Sequence, residues 1–215
     1  MENKFPHNIQ VFDDYAKEYD QWFEDHSAVF ESEARAIEQL LPLTGNGIEI
    51  GVGTGRFAAR LGIKIGVEPS EQMAKLAKER GIKIIAAKAE QLPFKNNEYD
   101  FALLVTVLCF LENPVIALTE AARIVKPSGK IVVAIINRDS PLGLSIEASK
   151  ASNHFYKSAK LYIPDEIELT MQKAGLKNFT RLQTLFGPLD QIKKPQRPRE
   201  GSSEGGFVIL SGAKT

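Results

Sequence analysis

Residues 47–59 read GIEIGVGTGRFAA, and the reading of this stretch decides the fold. Ile48, Ile50 and Val52 alternate with Glu49 and Gly51, the period of a β-strand. Glycines then fall at every second position, as Gly51, Gly53 and Gly55. Glycine takes positive φ without strain and lets the main chain approach a ligand with no Cβ in the way. A helix beginning near Gly55 turns its free N–H groups toward whatever lies on the turn. The stretch predicts a buried strand, a tight turn and a helix, with a ligand on the turn. An ordinary tight strand-to-helix connection is the plainer alternative.

Outward from the turn, a short helix is expected over 56–61 and a second strand, IKIGVEP, over 63–69. Glu68 stands near the end of that strand, 17 residues after Gly51. In nucleotide-type folds an acid about 20 residues beyond the glycine turn commonly accepts from ribose hydroxyls. Ser70 is placed to cap a helix over 71–80 and Gly81 to close it. Met73, one turn into that helix, faces either the core or the cleft, where it would lie on an adenine ring. A third strand is expected over 82–89. The fourth, FALLVTVL at 101–108, is a continuous apolar run, which means burial on both faces of a parallel sheet. Asn113 and Pro114 form a start signal for a helix over 114–125, stopped by Pro127 and Gly129 before a fifth strand over 130–137.

Beyond the fifth strand RDSPLG reads as a loop, followed by helices over 145–160 and 164–174 and a strand over 178–186. The Pro-, Gly- and charge-rich stretch 187–206 is expected to be a mobile loop. FVILSGAK at 207–214 closes the chain as a strand. With no long helix between them, the last two strands are expected to pair as an antiparallel hairpin at one sheet edge. Alternating strands and helices specify an α/β three-layer sandwich. Its ligand site lies at the carboxyl ends of the strands, beside the first. Glu49, the glycines, Glu68, Glu90 and Thr106 all map near those ends.

Ahead of this core, 8–40 reads as helical, with a second helix over about 32–41. Ile9, Phe12, Tyr15, Tyr19, Trp22 and Phe23 recur at spacings of three and four. The stripe either packs on the domain or serves as a lid, since Tyr and Trp cover an apolar ligand while offering one polar atom each. One domain over 1–215 is expected: a helical cap over 1–43, a binding core over 44–137, and substrate-side helices with the closing hairpin over 138–215.

The pattern acid-x-Gly-x-Gly-x-Gly at Glu49, Gly51, Gly53 and Gly55 resembles the first motif of the class I S-adenosylmethionine-dependent methyltransferases. The run YDFALLVTVLCFLENPVIALTEAARIVKPSGKIVVAI is similar to the type 11 branch of that family along its length, down to the Lys-Pro-x-Gly turn. AEQLPF at 89–94 resembles the segment that lines the adenine pocket there, which implies Ala89, Glu90 and Gln91 as contacts. The family often has an acid two residues before that glutamate; this chain has Lys88, so the adenine amino contact falls to Glu90 or a backbone carbonyl. The resemblance covers 12–185. It implies a Rossmann-like, seven-stranded, mostly parallel sheet of order 3-2-1-4-5-7-6 with the last strand antiparallel, and S-adenosyl-L-methionine as cofactor. The candidate cofactor residues are Tyr19, Glu49, Gly51, Gly53, Gly55, Glu68, Pro69, Met73, Ala89, Glu90, Gln91 and Thr106. Tyr15, Trp22, Cys109 and Phe155 are the candidate substrate contacts.

The sulfonium donor is already activated, so alignment is expected to do most of the work. No catalytic base is evident. Quinone-methylating relatives often carry His near the end of the fourth strand, where this chain has Cys109 and Phe110; nitrogen, oxygen and sulfur acceptors stay open. His7, His26 and His154 lack metal-ligand spacing, so no metal is expected. Lys plus Arg and Asp plus Glu balance at 27 each, and the Asn/Asp-Pro-Pro-aromatic motif of DNA amino methyltransferases is absent. Both point to a small-molecule acceptor over a nucleic acid. One cysteine excludes an intrachain disulfide, the first ten residues lack a signal-peptide pattern, and no apolar run is long enough to span a membrane. A cytoplasmic protein is expected, of undetermined oligomeric state. Two other readings stay in view: a nicotinamide-dependent oxidoreductase, against which Arg56 stands in place of the third fingerprint glycine, and a cofactor-binding protein without turnover.

Overall fold

The computed structural model describes residues 7–215, with side chains from Ile9 onward; residues 1–6, which open the expected cap and the segment read for a signal peptide, lie outside the described residues. Three helices lead in, α1 (His7–Asp14), α2 (Ala16–Asp25) and α3 (Ser27–Glu38). The helical run expected over 8–40 is thus bent at Tyr15 and His26, both at φ near −120° (−118° and −120°). The His26 N–H still donates to the Trp22 carbonyl (3.0 Å), closing α2, and the next helix starts at Ser27, ahead of the expected position.

The core alternates β1 (Gly47–Ile50), α4 (Arg56–Leu61), β2 (Ile65–Val67), α5 (Glu71–Glu79), β3 (Lys83–Ile85), β4 (Tyr99–Val105), α6 (Pro114–Ile124) and β5 (Val125–Ile136). After it come α7 (Pro141–Ser149), α8 (Pro164–Lys173), β6 (Leu176–Thr184), β7 (Arg199–Glu200) and β8 (Phe207–Lys214). One sheet results, in the order β3-β2-β1-β4-β5-β8-β6-β7. The five strands from β3 to β5 pair in parallel, and β8 runs antiparallel to both β5 and β6.

The sheet has eight strands where seven were expected. The extra one is β7, a two-residue strand that pairs antiparallel with β6. With β7 set aside, the order is the expected one. Two other expectations change. The loop expected at RDSPLG already contains the start of α7: Ser140 caps it, its Oγ accepting from the Gly143 N–H (3.0 Å), and Pro141 occupies the first turn. The helix ends at Ser149, short of 160, because the Asn153 side chain takes the N–H groups of Phe155 (3.0 Å) and Tyr156 (3.1 Å) into an Asx turn. The loop at 187–206 is tied down: the Gln196 amide accepts from Phe186 N–H (2.8 Å) and donates to Phe186 O (3.0 Å), while its own N–H donates to Ser32 Oγ (2.8 Å).

Side chains alternate across β4. Ala102 and Leu104 join a core with α6 and α8, while Phe101, Leu103 and Val105 join a second core with α3 and α4. The three layers therefore follow from the period-2 alternation of doubly buried strands. Among the described residues no helix is long and apolar enough to cross a membrane.

Candidate functional site

The glycine turn leaves β1 beside the end of β2. Gly51 and Val52 donate to the Val67 carbonyl (2.8 and 3.0 Å), which holds the turn against β2. Gly51, Gly53 and Gly55 sit at φ 71°, 55° and 81°, the left-handed region that glycine alone enters freely. Glu68 locks the turn: its Oε2 accepts from the Gly53 N–H (2.8 Å) and its Oε1 from the Ser70 N–H (2.9 Å). Burial pushes the Glu68 carboxyl up to about 7, the two backbone N–H groups pull it back, and Asp13 nearby adds to the rise.

A cavity of about 360 Å³ opens on this turn. Tyr19, Gly51, Gly53, Glu68, Pro69, Met73, Ala89, Glu90 and Thr106 line it, so residues from distant parts of the chain converge as the sequence predicts. Glu49, Gly55 and Gln91 do not line it. Glu49 lies beneath the turn, 1% exposed, with Oε2 unpartnered among the described residues; burial first, and the Glu68 charge after it, raise its carboxyl well above the usual range. Gly55 faces α5, where an added Cβ would sit 2.9 Å from the Ala77 Cβ. Gln91 is exposed, its N–H turned back onto Lys88 O (3.1 Å). Lys88 itself lines the cavity. Phe12, Ser70, Phe110 and Asn113 line it without having been candidates.

The N-terminal helices cover this cavity and are bolted to its rim. Asp13 Oδ1 accepts from Ser70 Oγ (2.6 Å) and the Gln72 N–H (3.0 Å), fixing α1 to the start of α5. Arg56, the residue after the last glycine, binds Asp20 of α2 through two nitrogens (both 2.8 Å) and Glu24 through a third (2.6 Å). Arg80 joins the same Asp20 (2.7 Å) and donates to Thr54 O of the turn (3.0 Å). Burial alone would raise Asp20, but the hydrogen bonds led by Arg56 outweigh it and hold the carboxyl down to about 2.

A second cavity, about 410 Å³, abuts the first and shares Phe12, Tyr19, Thr106 and Phe110 with it. Thr106 in that common wall has φ 53°, a strained setting for a β-branched residue that costs about 1–3 kcal/mol. Trp22 and Phe155 line the second cavity. Tyr15 and Cys109 line neither cavity. Tyr15 is 41% exposed and stacks on His154 at 4.0 Å. Cys109 donates its thiol to Thr106 O (3.1 Å), and burial pushes it up to about 12, so it stays a neutral thiol. Glu33 and Tyr156 line the second cavity as well, and neither was a candidate. Glu33 had one signal in sequence: it falls in the buried stripe of α3, four residues after Val29 and four before Ile37.

The family model described as Methyltransferase domain matches residues 48–133. An uncharacterized protein of Methanocaldococcus jannaschii is 47% identical over 206 residues, which is 96% of this chain and 100% of that protein. A ubiquinone biosynthesis O-methyltransferase of Rhizobium etli is 30% identical over 182 residues, 76% of this chain and 71% of that protein. A crystal structure of a SAM-dependent methyltransferase from Thermotoga maritima, described as a possible histamine N-methyltransferase, is similar with a TM-score of 0.94 at 44% identity, covering 97% of this chain and 100% of that one.

Proposed function

Because this chain belongs to the S-adenosylmethionine-dependent methyltransferase family, we propose that it transfers a methyl group from S-adenosyl-L-methionine to a nitrogen, oxygen or sulfur of a small molecule. The observation that carries this reading is the pairing of the two cavities across one thin wall of Phe12, Tyr19, Thr106 and Phe110. A donor in the first cavity and an acceptor in the second meet at that wall.

The first cavity fits the donor. Above Gly53 an added Cβ would meet nothing nearer than Tyr19 Cε1 at 3.9 Å, so the turn is open to a ligand. We assign the ribose hydroxyls to Glu68, whose carboxylate keeps acceptor capacity beyond its two backbone bonds. Met73, Ala89 and Glu90 are assigned to the adenine end, and Gly51 and Gly53 to the amino-acid end. When bound, S-adenosylmethionine supplies an activated methyl group whose bonding electron pair stays with sulfur. The protein's part is to align and to exclude water: the ion pairs of Asp20 and the Asp13 contacts hold α1 and α2 over the site. Alignment of this kind removes up to ~7–11 kcal/mol of barrier in favourable systems. The descriptions of the two relatives named above point to different acceptor atoms, oxygen for the Rhizobium protein and, as a possible N-methyltransferase, nitrogen for the Thermotoga one. We place the reaction in the cytoplasm, where an unbridged thiol such as Cys109 stays reduced.

Calorimetry with S-adenosylhomocysteine and NAD, followed by a labelled-methyl screen over amines, phenols, thiols and carboxylates, tests the reading. Binding of the homocysteine product and label transfer to one acceptor class are expected. Tight binding of NAD alone would overturn the methyltransferase reading, and binding without transfer to any class would make the chain a silent cofactor binder.

A further inference from the structure

The second cavity has a charge-bearing group that nothing in the fold uses. Glu33 projects from α3 into the cavity and is 7% exposed. Among the described residues no hydrogen-bond donor or cation pairs with it. A carboxylate buried without a partner costs several kcal/mol, so such a residue either carries its proton or awaits a counter-ion. Burial pushes Glu33 up to about 8, as expected of such a group.

The rest of the wall is largely aromatic and aliphatic, with Thr106, Ser152, Asn153, His154 and Glu18 as its other polar members. Trp22, Phe23, Phe57, Phe110, Phe155 and Tyr156 supply its aromatic faces. Among the described residues no lysine or arginine lines it, and the one other acid there is Glu18, whose Oε1 lies 3.3 Å from His154 Nε2. Aromatic faces attract cations through the ring quadrupole, and a buried carboxylate supplies the formal counter-charge. The same surroundings repel a carboxylate acceptor and leave an alcohol with no gain over water beyond one hydrogen bond. The cavity's volume, about 410 Å³, is in the range of ~300–1,000 Å³ that small ligands fill.

We propose that this cavity is the acceptor site for an arylalkylamine, which enters as the ammonium and pairs with the Glu33 carboxylate within the aromatic wall. That carboxylate takes the proton the nitrogen must lose before its lone pair accepts the methyl group, and the sulfur keeps the electron pair of the broken bond as S-adenosylhomocysteine. The proposal rests on the methyltransferase reading for its consequence, since it names the acceptor class of that reaction, but binding is measurable without turnover. Glu33 determines specificity: it selects the cation, while the rings supply contact area.

The test uses the full chain and three probes of one shape: 2-phenylethylamine, 2-phenylethanol and 3-phenylpropionate. Trp22 is the only tryptophan and lines the cavity, so its fluorescence reports occupancy, with calorimetry as a second readout. The amine is expected to bind at least about tenfold more tightly than the alcohol, the scale of a charged hydrogen bond, and the carboxylate weakest of all. Glu33→Gln, which keeps the shape, is expected to bring amine and alcohol to equal affinity while leaving S-adenosylhomocysteine affinity unchanged. Equal binding of amine and alcohol by the natural chain, binding of none of the three, or an amine preference that survives in Glu33→Gln overturns the proposal. Should that variant not fold, the three-probe ranking on the natural chain decides alone. S-adenosylhomocysteine binding without amine preference sinks the acceptor assignment and leaves the methyltransferase reading standing. Amine preference without S-adenosylhomocysteine binding sinks the methyltransferase reading and keeps the amine site.

Discussion

Arg56 and Asp20 meet fork to fork, through Nε–Oδ1 and Nη2–Oδ2 contacts of 2.8 Å each. The pair joins the first residue of α4 to the middle of α2, and its side chains are only 12% and 16% exposed. The geometry is bidentate, which a lysine cannot reproduce. Arg56→Ala leaves Asp20 with Arg80 and the Thr54 side chain as its remaining partners and releases Glu24. The expected loss of stability is roughly 2–3 kcal/mol, below the ~3–5 of a fully buried pair because Glu24 is largely exposed. Arg56→Lys should fall between the two. Urea denaturation measures it; an Arg56→Ala midpoint equal to that of the natural chain would show that the clamp does not hold α2 down.

Arg56 also illustrates what the sequence made legible. The turn, Glu68, the Ser70 cap and the Asn113-Pro114 start were readable because each obeys a rule local in sequence: φ sign, strand period or first-turn chemistry. Arg56 was readable only as a departure from the dinucleotide fingerprint, since its partner Asp20 lies 36 residues away. Glu33 was hidden for a related reason. A glutamate on an amphipathic helix ordinarily marks the solvent face, and that expectation outweighs the i±4 spacing of Glu33 from Val29 and Ile37 on the apolar stripe. Gln196, which joins 187–206 to Ser32, bridges 164 residues, and no composition rule anticipates such a bond. Long-range polar contacts, not the strand and helix pattern, are the part that folding alone reveals.

Gly51 and Gly53 separate fold from ligand. An alanine at 51 would drive its Cβ into Val107 Cγ2 and also face a φ of 71°. At 53 the φ is 55°, but the nearest atom would be 3.9 Å away. Gly53→Ala is therefore expected to lower the melting point slightly, by an αL cost of about 1–2 kcal/mol, and to weaken S-adenosylhomocysteine binding strongly. Gly51→Ala should destabilise the fold itself by more, since overpacking adds about 1–3 kcal/mol. Melting curves paired with calorimetry check both. The reverse ranking in melting would mean that Val107 gives way easily.

Thr106 carries strain where the cavities meet. Thr106→Gly relieves a φ of 53° at a position whose N–H still donates to Ala134 O (2.9 Å). The variant is expected to melt no lower than the natural chain, gaining up to about 1–2 kcal/mol from the relieved strain. Methyl transfer should fall, because the wall between the cavities loses a side chain. A clear drop in melting temperature would assign the threonine to packing.

Glu68→Gln keeps the size of the side chain but removes the charge that ribose hydroxyls would meet. One amide oxygen can still serve Gly53 or Ser70, but not both. S-adenosylhomocysteine affinity is expected to fall by about 1.5–3 kcal/mol, roughly ten- to 150-fold, the worth of a hydrogen bond to a charged group. Titration calorimetry measures it. An unchanged dissociation constant in a variant that still folds would remove Glu68 from the ribose.

The buried acids set the pH dependence of stability. Glu33 and Glu68 have folded values raised to about 8 and about 7 from an ordinary 4.5, and Glu49 is raised well above it, in each case chiefly by burial. The native state therefore holds these protons more tightly than the unfolded chain does. Their contribution is complete below pH 4.5 and is lost as pH rises through 7 and 8. Asp20, held down to about 2 against its burial chiefly by Arg56, and Glu31 of α3, held down to about 2 by hydrogen bonds from Arg60 and Arg35, act in the opposite sense: their stabilisation is present above the ordinary carboxylate range and vanishes as pH falls toward 2. Stability without ligand should peak near pH 5 and decline by a few kcal/mol toward pH 8.5, since each tenfold difference in proton affinity between folded and unfolded chain is worth about 1.4 kcal/mol. Glu33→Gln removes one of the buried titrations, so its decline over the same interval should be shallower. Urea midpoints taken at pH 5, 7 and 8.5 on both chains measure the effect. A midpoint that rises across this interval would mean that the three glutamates are already ionised in the folded protein, and that burial does not hold their protons.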